Sequence, residues 1–409
     1  MGRRRGLTMA LLSVGDALAQ VLDQVGVLDA ETVPLRLAHQ RILAEQVVAL
    51  RTQPPFAASA MDGYAMRAID LAIGHPLRLI GESAAGQGFS GVLGPDECVR
   101  IFTGAPIPQG ADTIVIQEHV RVDGETITPT HDTDRLRHIR PAGLDFSQGD
   151  SLLGPGQSLS PSSLSLAAAM GHPQLRVTRK PRVAILATGD ELVQPGEICG
   201  PDQIVASNHF AVGAMVESLG GIAIDLGIAK DTHEALEAAF QSAEDQKADI
   251  LVTLGGASVG DRDLVQSGLA RRGMQLGFWR IAMRPGKPLI FGSLGSMRIL
   301  GLPGNPVSSI ICAQIFLAPL IKSMLGDATA RQDPTSEAVL GCDLKENDLR
   351  QDYMRASITG TRNGLPVVVP FRSQDSSMLG LMSQAQALLI RAPFAPAAKE
   401  NDPCRIILL

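Results

Sequence analysis

Between residues 181 and 306 the chain repeats one pattern: an apolar run, a loop rich in glycine and charge, then a helical stretch. The loops are Thr188-Gly-Asp-Glu191, Lys230-Asp231, Gly255-Gly-Ala-Ser-Val-Gly-Asp-Arg-Asp263, Arg284-Pro-Gly-Lys287 and Leu302-Pro-Gly-Asn-Pro306. Asp190, Glu191, Asp231, Asp261 and Asp263 supply carboxylates, and Mg2+ takes one or two of these plus waters and phosphate oxygens. Arg280, Arg284 and Lys287 supply forks and a point charge suited to anionic oxygens. Gly255, Gly256, Ser258 and Gly260 form a loop whose bare N–H groups can approach a phosphate before a helix N-terminus. Pro303, Asn305 and Pro306 lead into another helix, with Pro306 suited to its first turn. Together these are the parts of a site for a phosphorylated ligand and a divalent metal.

Each part also has a plain structural reading. Glycine pairs make tight turns, the cations can be surface charge flanking a turn, and the Pro306 loop can be purely structural. An acid at a helix start can be a cap; Asp231, with Glu234 three residues on, is well placed as an N-cap. The spacing Gly255 to Gly260 matches half of a P-loop, but Asp261-Arg262 follows in place of Lys-Ser/Thr, which excludes a nucleotide-hydrolysing P-loop. No G-x-G-x-x-G follows a strand, so a dinucleotide site is also excluded. There is no H-E-x-x-H, no G-x-S-x-G elbow and no Cys/His pairing for acyl transfer.

What must position these loops is a parallel α/β sheet, whose strand carboxyl ends share one edge. Apolar runs at 182–187, 222–229 and 249–254 read as strands, and 208–219, 231–245 and 264–272 as helices. Elsewhere the texture differs. Ser13 with Asp16 resembles a capping box opening a helix to about residue 25, and 161–170 is helical. Short strand-like runs at 76–80, 98–102, 113–116 and 126–128, broken by Gly and Pro, indicate a small β unit. Within it Asp62 sits beside Gly63 among small residues, and 103–110 is a second small-residue loop. Runs at 338–340, 366–369 and 404–409 indicate a second β unit at the C-terminus.

The chain has 409 residues, too many for one core. Aromatic content of 3% and net charge of −6 argue against nucleic acid as a partner. The 5 cysteines are scattered, without C-x-x-C, which fits a reducing cytoplasm. The apolar run near the basic start is too short for a signal segment, and no stretch approaches the ~18 apolar residues of a membrane span, so neither export nor a membrane is expected.

Read as a set, Ser59-Ala-Met-Asp-Gly-Tyr64, Phe102-Thr-Gly-Ala-Pro-Ile-Pro108, Thr188-Gly-Asp-Glu-Leu192, Gly255-Gly-Ala-Ser-Val-Gly260, Arg284-Pro-Gly-Lys-Pro288 and Gly301-Leu-Pro-Gly-Asn-Pro306 resemble the MoeA-type molybdopterin molybdenumtransferases, which include the gephyrin E domain. The motifs run in family order over nearly the whole chain. The resemblance implies a multidomain α/β plus β subunit. Its parts are a discontinuous elongated α+β domain at 1–50 and 140–179, a small β domain at 51–139, a parallel α/β domain at 180–330 similar to the adenylyltransferase MogA, and a barrel-like β domain at 331–409. It implies insertion of molybdenum from molybdate into adenylylated molybdopterin with AMP release and Mg2+ present, usually in a homodimer. The family site is held to lie between the α/β domain of one subunit and the Met-Asp-Gly-Tyr domain of the other. By motif position the resemblance assigns catalysis to Asp62, Thr103, Glu191, Asp231 and Asp263, with the acids among them as metal ligands. It assigns substrate binding to Asp145 and Arg140 and to the loop residues Gly255, Gly256, Ser258, Gly260, Arg280, Arg284, Lys287, Pro303, Asn305 and Pro306. Arg280 and Arg284 stand where lysines are expected in some members, and Leu144 where an acid often precedes the Asp. A MogA-like adenylyltransferase and downstream molybdenum-cofactor enzymes are the implied partners. An adenylyltransferase and a non-catalytic scaffold are the alternatives.

Overall fold

The structure, a computed structural model, describes residues 11–256 and 264–409. Internal contacts divide the chain into two units. One joins Thr32–His39 to Leu43–Val177; the other joins Gln40–Ile42 and Thr178–Leu409 to the segment ending at Glu31.

The second unit is built around a six-stranded sheet in the order Ile222–Ala229, Arg182–Thr188, Ile250–Leu254, Met297–Leu302, Pro288–Leu294, Gln275–Arg280. The first four run parallel. Alternation along each strand sends side chains to two cores. Val183, Ile185, Ile250, Val252 and Leu300 face one, shared with the helices Val14–Leu22 and Asn208–Ser218 and the run starting at Pro306. Ala184, Leu186, Leu251 and Ile299 face the other, under His233–Asp245 and Leu264–Arg271. Burial on both faces is why these strands read as unbroken apolar runs.

Of the five expected strand–loop–helix repeats the fourth is absent, since the 284–287 loop leads into a strand and not a helix. Gln275–Arg280 and Pro288–Leu294 are antiparallel neighbours, and Pro288–Leu294 forms a hairpin with Met297–Leu302. A continuous apolar run does not reveal its partner's direction. The hairpin still serves the site: Arg280 ends its strand, and Pro288 begins the reversed one, at the edge where the parallel strands finish.

Pro306–Leu325 is continuous helix, with a π-helical turn at Ala313–Leu317. By length and composition it is apolar enough to cross a membrane, which corrects the expectation that no stretch comes near that limit, and 78% of it is buried in this unit. Its neighbours in the core include Tyr353, Leu388 and Ile407 of the C-terminal β region. There Gln351–Arg362, Leu365–Pro370, Ser336–Leu340, Pro403–Leu408 and Ala387–Arg391 pair in sequence, and the last returns to the first to close a barrel. The strands at 351–362 and 387–391 escaped the sequence reading.

In the other unit a sheet runs Thr113–Ile116, Gly63–Met66, Glu97–Ile101, Leu77–Ser83, Thr126–Pro129, Val120–Asp123. Tyr64 and Met66 face one core and Ala65 the opposite one. Gly63 is flanked on both sides by strands, and a Cβ there would lie 2.2 Å from the Val115 carbonyl oxygen. Backbone cannot yield as a flexible side chain can. Gly63→Ala is therefore expected to destabilise this sheet by roughly 1–3 kcal/mol, read by calorimetric melting; a wild-type melt would contradict the packing described.

Candidate functional site

Register fixes the edge. Thr188 lies opposite Ala229, Ala187 opposite Leu254, and Leu254 opposite Leu302. Beyond these ends opens a cleft of about 690 Å3, lined by Thr188, Gly189, Glu191, Asp231, Gly255, Gly256 and the four residues from Pro303 to Pro306. Its size suits a small-molecule ligand. Asn208, His209 and Ser377 also line it and were not singled out from sequence. Asn208 Nδ2 donates to the Gly304 carbonyl at 2.6 Å, and Asn305 Nδ2 donates to Ser376 Oγ at 3.0 Å. Nothing local in sequence joins residue 376 to residue 305.

Gly255 and Gly256 have φ of 98° and 62°. A Cβ on Gly255 would sit 2.7 Å from the Thr188 carbonyl oxygen, and one on Gly256 2.4 Å from Val265 Cγ2. The turn is glycine by necessity, both residues line the cleft, and the Gly255 N–H donates to the Leu302 carbonyl at 3.2 Å. Thr188 Oγ1 lies against it, buried and without a hydrogen-bond partner among the described residues.

Asp231 is not the helix cap. Thr232 takes that place, its hydroxyl accepting from the Ala235 N–H at 3.2 Å. A hydroxyl beside an acid competes for the same role, and here it leaves the Asp231 carboxylate to the cleft. The Asp231 N–H donates to Asp190 Oδ1 at 3.2 Å. Partial burial, then the charges of Asp190 and Glu191, hold the Asp231 carboxyl above the usual aspartate range. Among the described residues no three carboxylate, imidazole or thiol groups converge as a ready-made metal cage. Glu191 and Asp231 nonetheless fit Mg2+, which needs few protein ligands and takes the rest from water and phosphate.

The cations divide. Arg280 has its guanidinium 4.2 Å from the Trp279 ring centroid, and its Nε is buried without an acceptor among the described residues. Lys287 is exposed beside Pro288, which lines the cleft. Arg284 is occupied instead by acceptors of the C-terminal region: Asp352, Asp348 and Asn347. Ser258, Gly260, Asp261 and Asp263 lie outside the described residues.

Asp62, Thr103, Arg140 and Asp145 belong to the other unit. Asp62 Oδ1 accepts from the Thr103 N–H at 2.7 Å and from its hydroxyl at 2.8 Å. The amide first, then the hydroxyl and the nearby Arg100, hold the Asp62 carboxyl below its ordinary range. Arg100, which sequence reasoning missed, lies 5.0 Å from the Tyr64 ring centroid and 4.9 Å from that of Phe102, and donates to the Gly63 carbonyl at 3.2 Å. Arg140 is exposed and pairs across from Ala58. Asp145 is exposed, and its N–H donates to the Gln53 carbonyl at 3.0 Å.

Three family models match along the chain. Residues 12–171 match the MoeA N-terminal region (domain I and II), 184–323 a probable molybdopterin binding domain, and 337–409 the MoeA C-terminal region (domain IV). The chain is 37% identical over 347 residues to a molybdopterin molybdenumtransferase of Haemophilus influenzae, covering 84% of this chain and 85% of that protein. It is 30% identical over 404 residues to one of Staphylococcus aureus (strain MRSA252), covering 97% and 95%. A solved structure titled as a molybdopterin biosynthesis MoeA protein from Pyrococcus horikoshii superposes with a TM-score of 0.84 at 28% identity, over 97% of this chain and 99% of that one.

A titration separates the two Thr103 donors. In Thr103→Val the hydroxyl is lost and the amide stays, so the Asp62 carboxyl should titrate higher than in wild type yet stay below an ordinary aspartate. Because the folded-state value is depressed, the stabilisation from this contact is present above the unfolded value and is lost as pH falls through the folded one. Carboxyl-detected NMR reads the shift; an unchanged titration would rule out the hydroxyl contact.

Proposed function

The chain belongs to the MoeA family of molybdopterin molybdenumtransferases, and on that premise we propose that it inserts molybdenum from molybdate into adenylylated molybdopterin and releases AMP. The observation that carries this reading is the cleft itself. Two carboxylates, the Gly255-Gly256 turn and the start of a helix meet there at the shared ends of parallel strands.

In this proposal the Gly256 amide and the N-terminus at Pro306 receive phosphate oxygens, the Gly255 N–H being donated to the Leu302 carbonyl at 3.2 Å. Arg280 and Lys287 offset the remaining negative charge. Glu191 and Asp231 hold Mg2+, which when bound neutralises the phosphate oxygens and stabilises departing AMP. The excess acidity beside Asp231 favours a cation there over a bare anionic ligand. Asp62, kept ionised by Thr103, accepts hydrogen bonds from molybdate-derived hydroxyl or water. Arg140 and Asp145 are assigned to substrate binding by motif position. A homodimer, a cytoplasmic setting, a MogA-like supplier of the adenylylated substrate and acceptors of the finished cofactor complete the proposal.

The test is AMP release from adenylylated molybdopterin by purified protein, with and without molybdate and Mg2+. Release stimulated by molybdate, together with molybdenum-loaded cofactor, is expected. Asp231→Asn should raise the Mg2+ requirement at least about tenfold, and Glu191→Gln should lower kcat/KM about 10²-fold, both with wild-type melting. Adduct that binds but stays intact would make the protein a scaffold; adduct formed from ATP would make it an adenylyltransferase.

A further inference from the structure

Arg284 stands in a motif that reads as a ligand-binding cation, yet four of its five N–H donors are engaged. Its Nε and one terminal nitrogen grip both oxygens of Asp352. Nη1 donates to Asp348 Oδ2 at 3.1 Å, and Nη2 to Asn347 Oδ1 at 3.0 Å. Asn347 is itself fixed, donating to the carbonyls of Arg350, Arg391 and Ala392 at 2.8, 3.0 and 2.8 Å. Asp348 also pairs with Arg350 at 3.1 Å. Two arginines and two aspartates therefore sum to no net charge, and such a cluster has little attraction for a phosphate.

The backbone follows the side chains. Met283 and Arg284 pair in parallel with Gln351 and Asp352, and the Gln351 N–H donates to the Ala282 carbonyl at 2.9 Å. The turn closes on itself through the Ile281 N–H to the Lys287 carbonyl at 3.1 Å. Gly286 is seated on the helix Pro306–Cys312, where a Cβ would lie 2.4 Å from Cys312 Sγ. Pro288, just beyond, lines the cleft.

We propose that Arg284 and Asp352 are positioning residues, a clamp that ties the Arg284-Pro-Gly-Lys287 turn to the C-terminal barrel and so holds Lys287 and Pro288 at the cleft rim. A planar fork across a carboxylate fixes orientation as well as distance, which a lysine would not do. The Asp352 side chain is only 9% exposed, so losing its partner strands a buried charge. The functional consequence rests on the reading of the cleft as a phosphate site; the clamp itself does not.

Two measurements separate these. AMP binding in the presence of Mg2+ is measured by calorimetry for wild type, Arg284→Gln, Asp352→Asn, the double variant and Arg284→Lys, with melting as the check of folding. The clamp predicts that either single change weakens AMP roughly tenfold, that the double change is no worse than either, and that Arg284→Lys fails to restore binding. If Arg284 contacted the ligand directly, Asp352→Asn would free it and leave binding unchanged or tighter, and Arg284→Lys would retain binding; that result overturns the proposal. Amide exchange, read without ligand, should accelerate across residues 281–288 in Asp352→Asn while the strand Ile250–Leu254 keeps its protection. Wild-type exchange across 281–288 would overturn the clamp. Should wild type bind no AMP, the phosphate reading fails and the exchange result alone decides the clamp.

Discussion

Strand polarity is the constraint on which this structure depends. Four parallel strands paired in register must end at the same level, and the loops that leave them have one space to share. Acids from two loops, a glycine turn from a third and a helix start from a fourth meet because the strands beneath them are locked by cores on both faces. The antiparallel hairpin obeys the same rule. Its reversed strand starts where the others finish, which brings the 284–287 turn to that edge.

Within this frame, neighbours rather than residue type decide what each charge does. Asp62 and Asp231 are both aspartates on loops. One is served by an amide, a hydroxyl and a nearby guanidinium, and stays ionised more readily than usual. The other is partly buried, then crowded by two carboxylates, and holds its proton more tightly. The first is suited to accept hydrogen bonds, the second to share a cation. Arg284 and Lys287 differ in the same way, three residues apart: one is held by two carboxylates and an amide, the other is exposed.

Much of this was legible in sequence because the signals were local. Buried strands announced themselves as apolar runs, and Ser13 caps its helix as expected, though that helix ends at Leu22 rather than near residue 25. The parallel α/β domain and the closed C-terminal β region also follow the expectation. What escaped depends on distance along the chain or on competition. The strand Gln351–Arg362 alternates polar and apolar residues only from Arg355 to Thr359, and its importance comes from Asp352 meeting Arg284 across 68 positions. Ser376 reaches Asn305 across 71. Thr232 displaced Asp231 as a cap because both side chains suit that role and geometry alone chooses. The hairpin at 288–302 was hidden because an apolar run has no direction.

The most direct test of the central claim is where molybdenum sits. Crystals grown with molybdate, AMP and Mg2+, measured at the molybdenum absorption edge, locate it without assumptions about the ligand's shape. The account predicts an anomalous peak inside the cleft bounded by Glu191, Asp231 and Gly255. A peak elsewhere on the protein, with that cleft holding neither metal nor AMP, would contradict it.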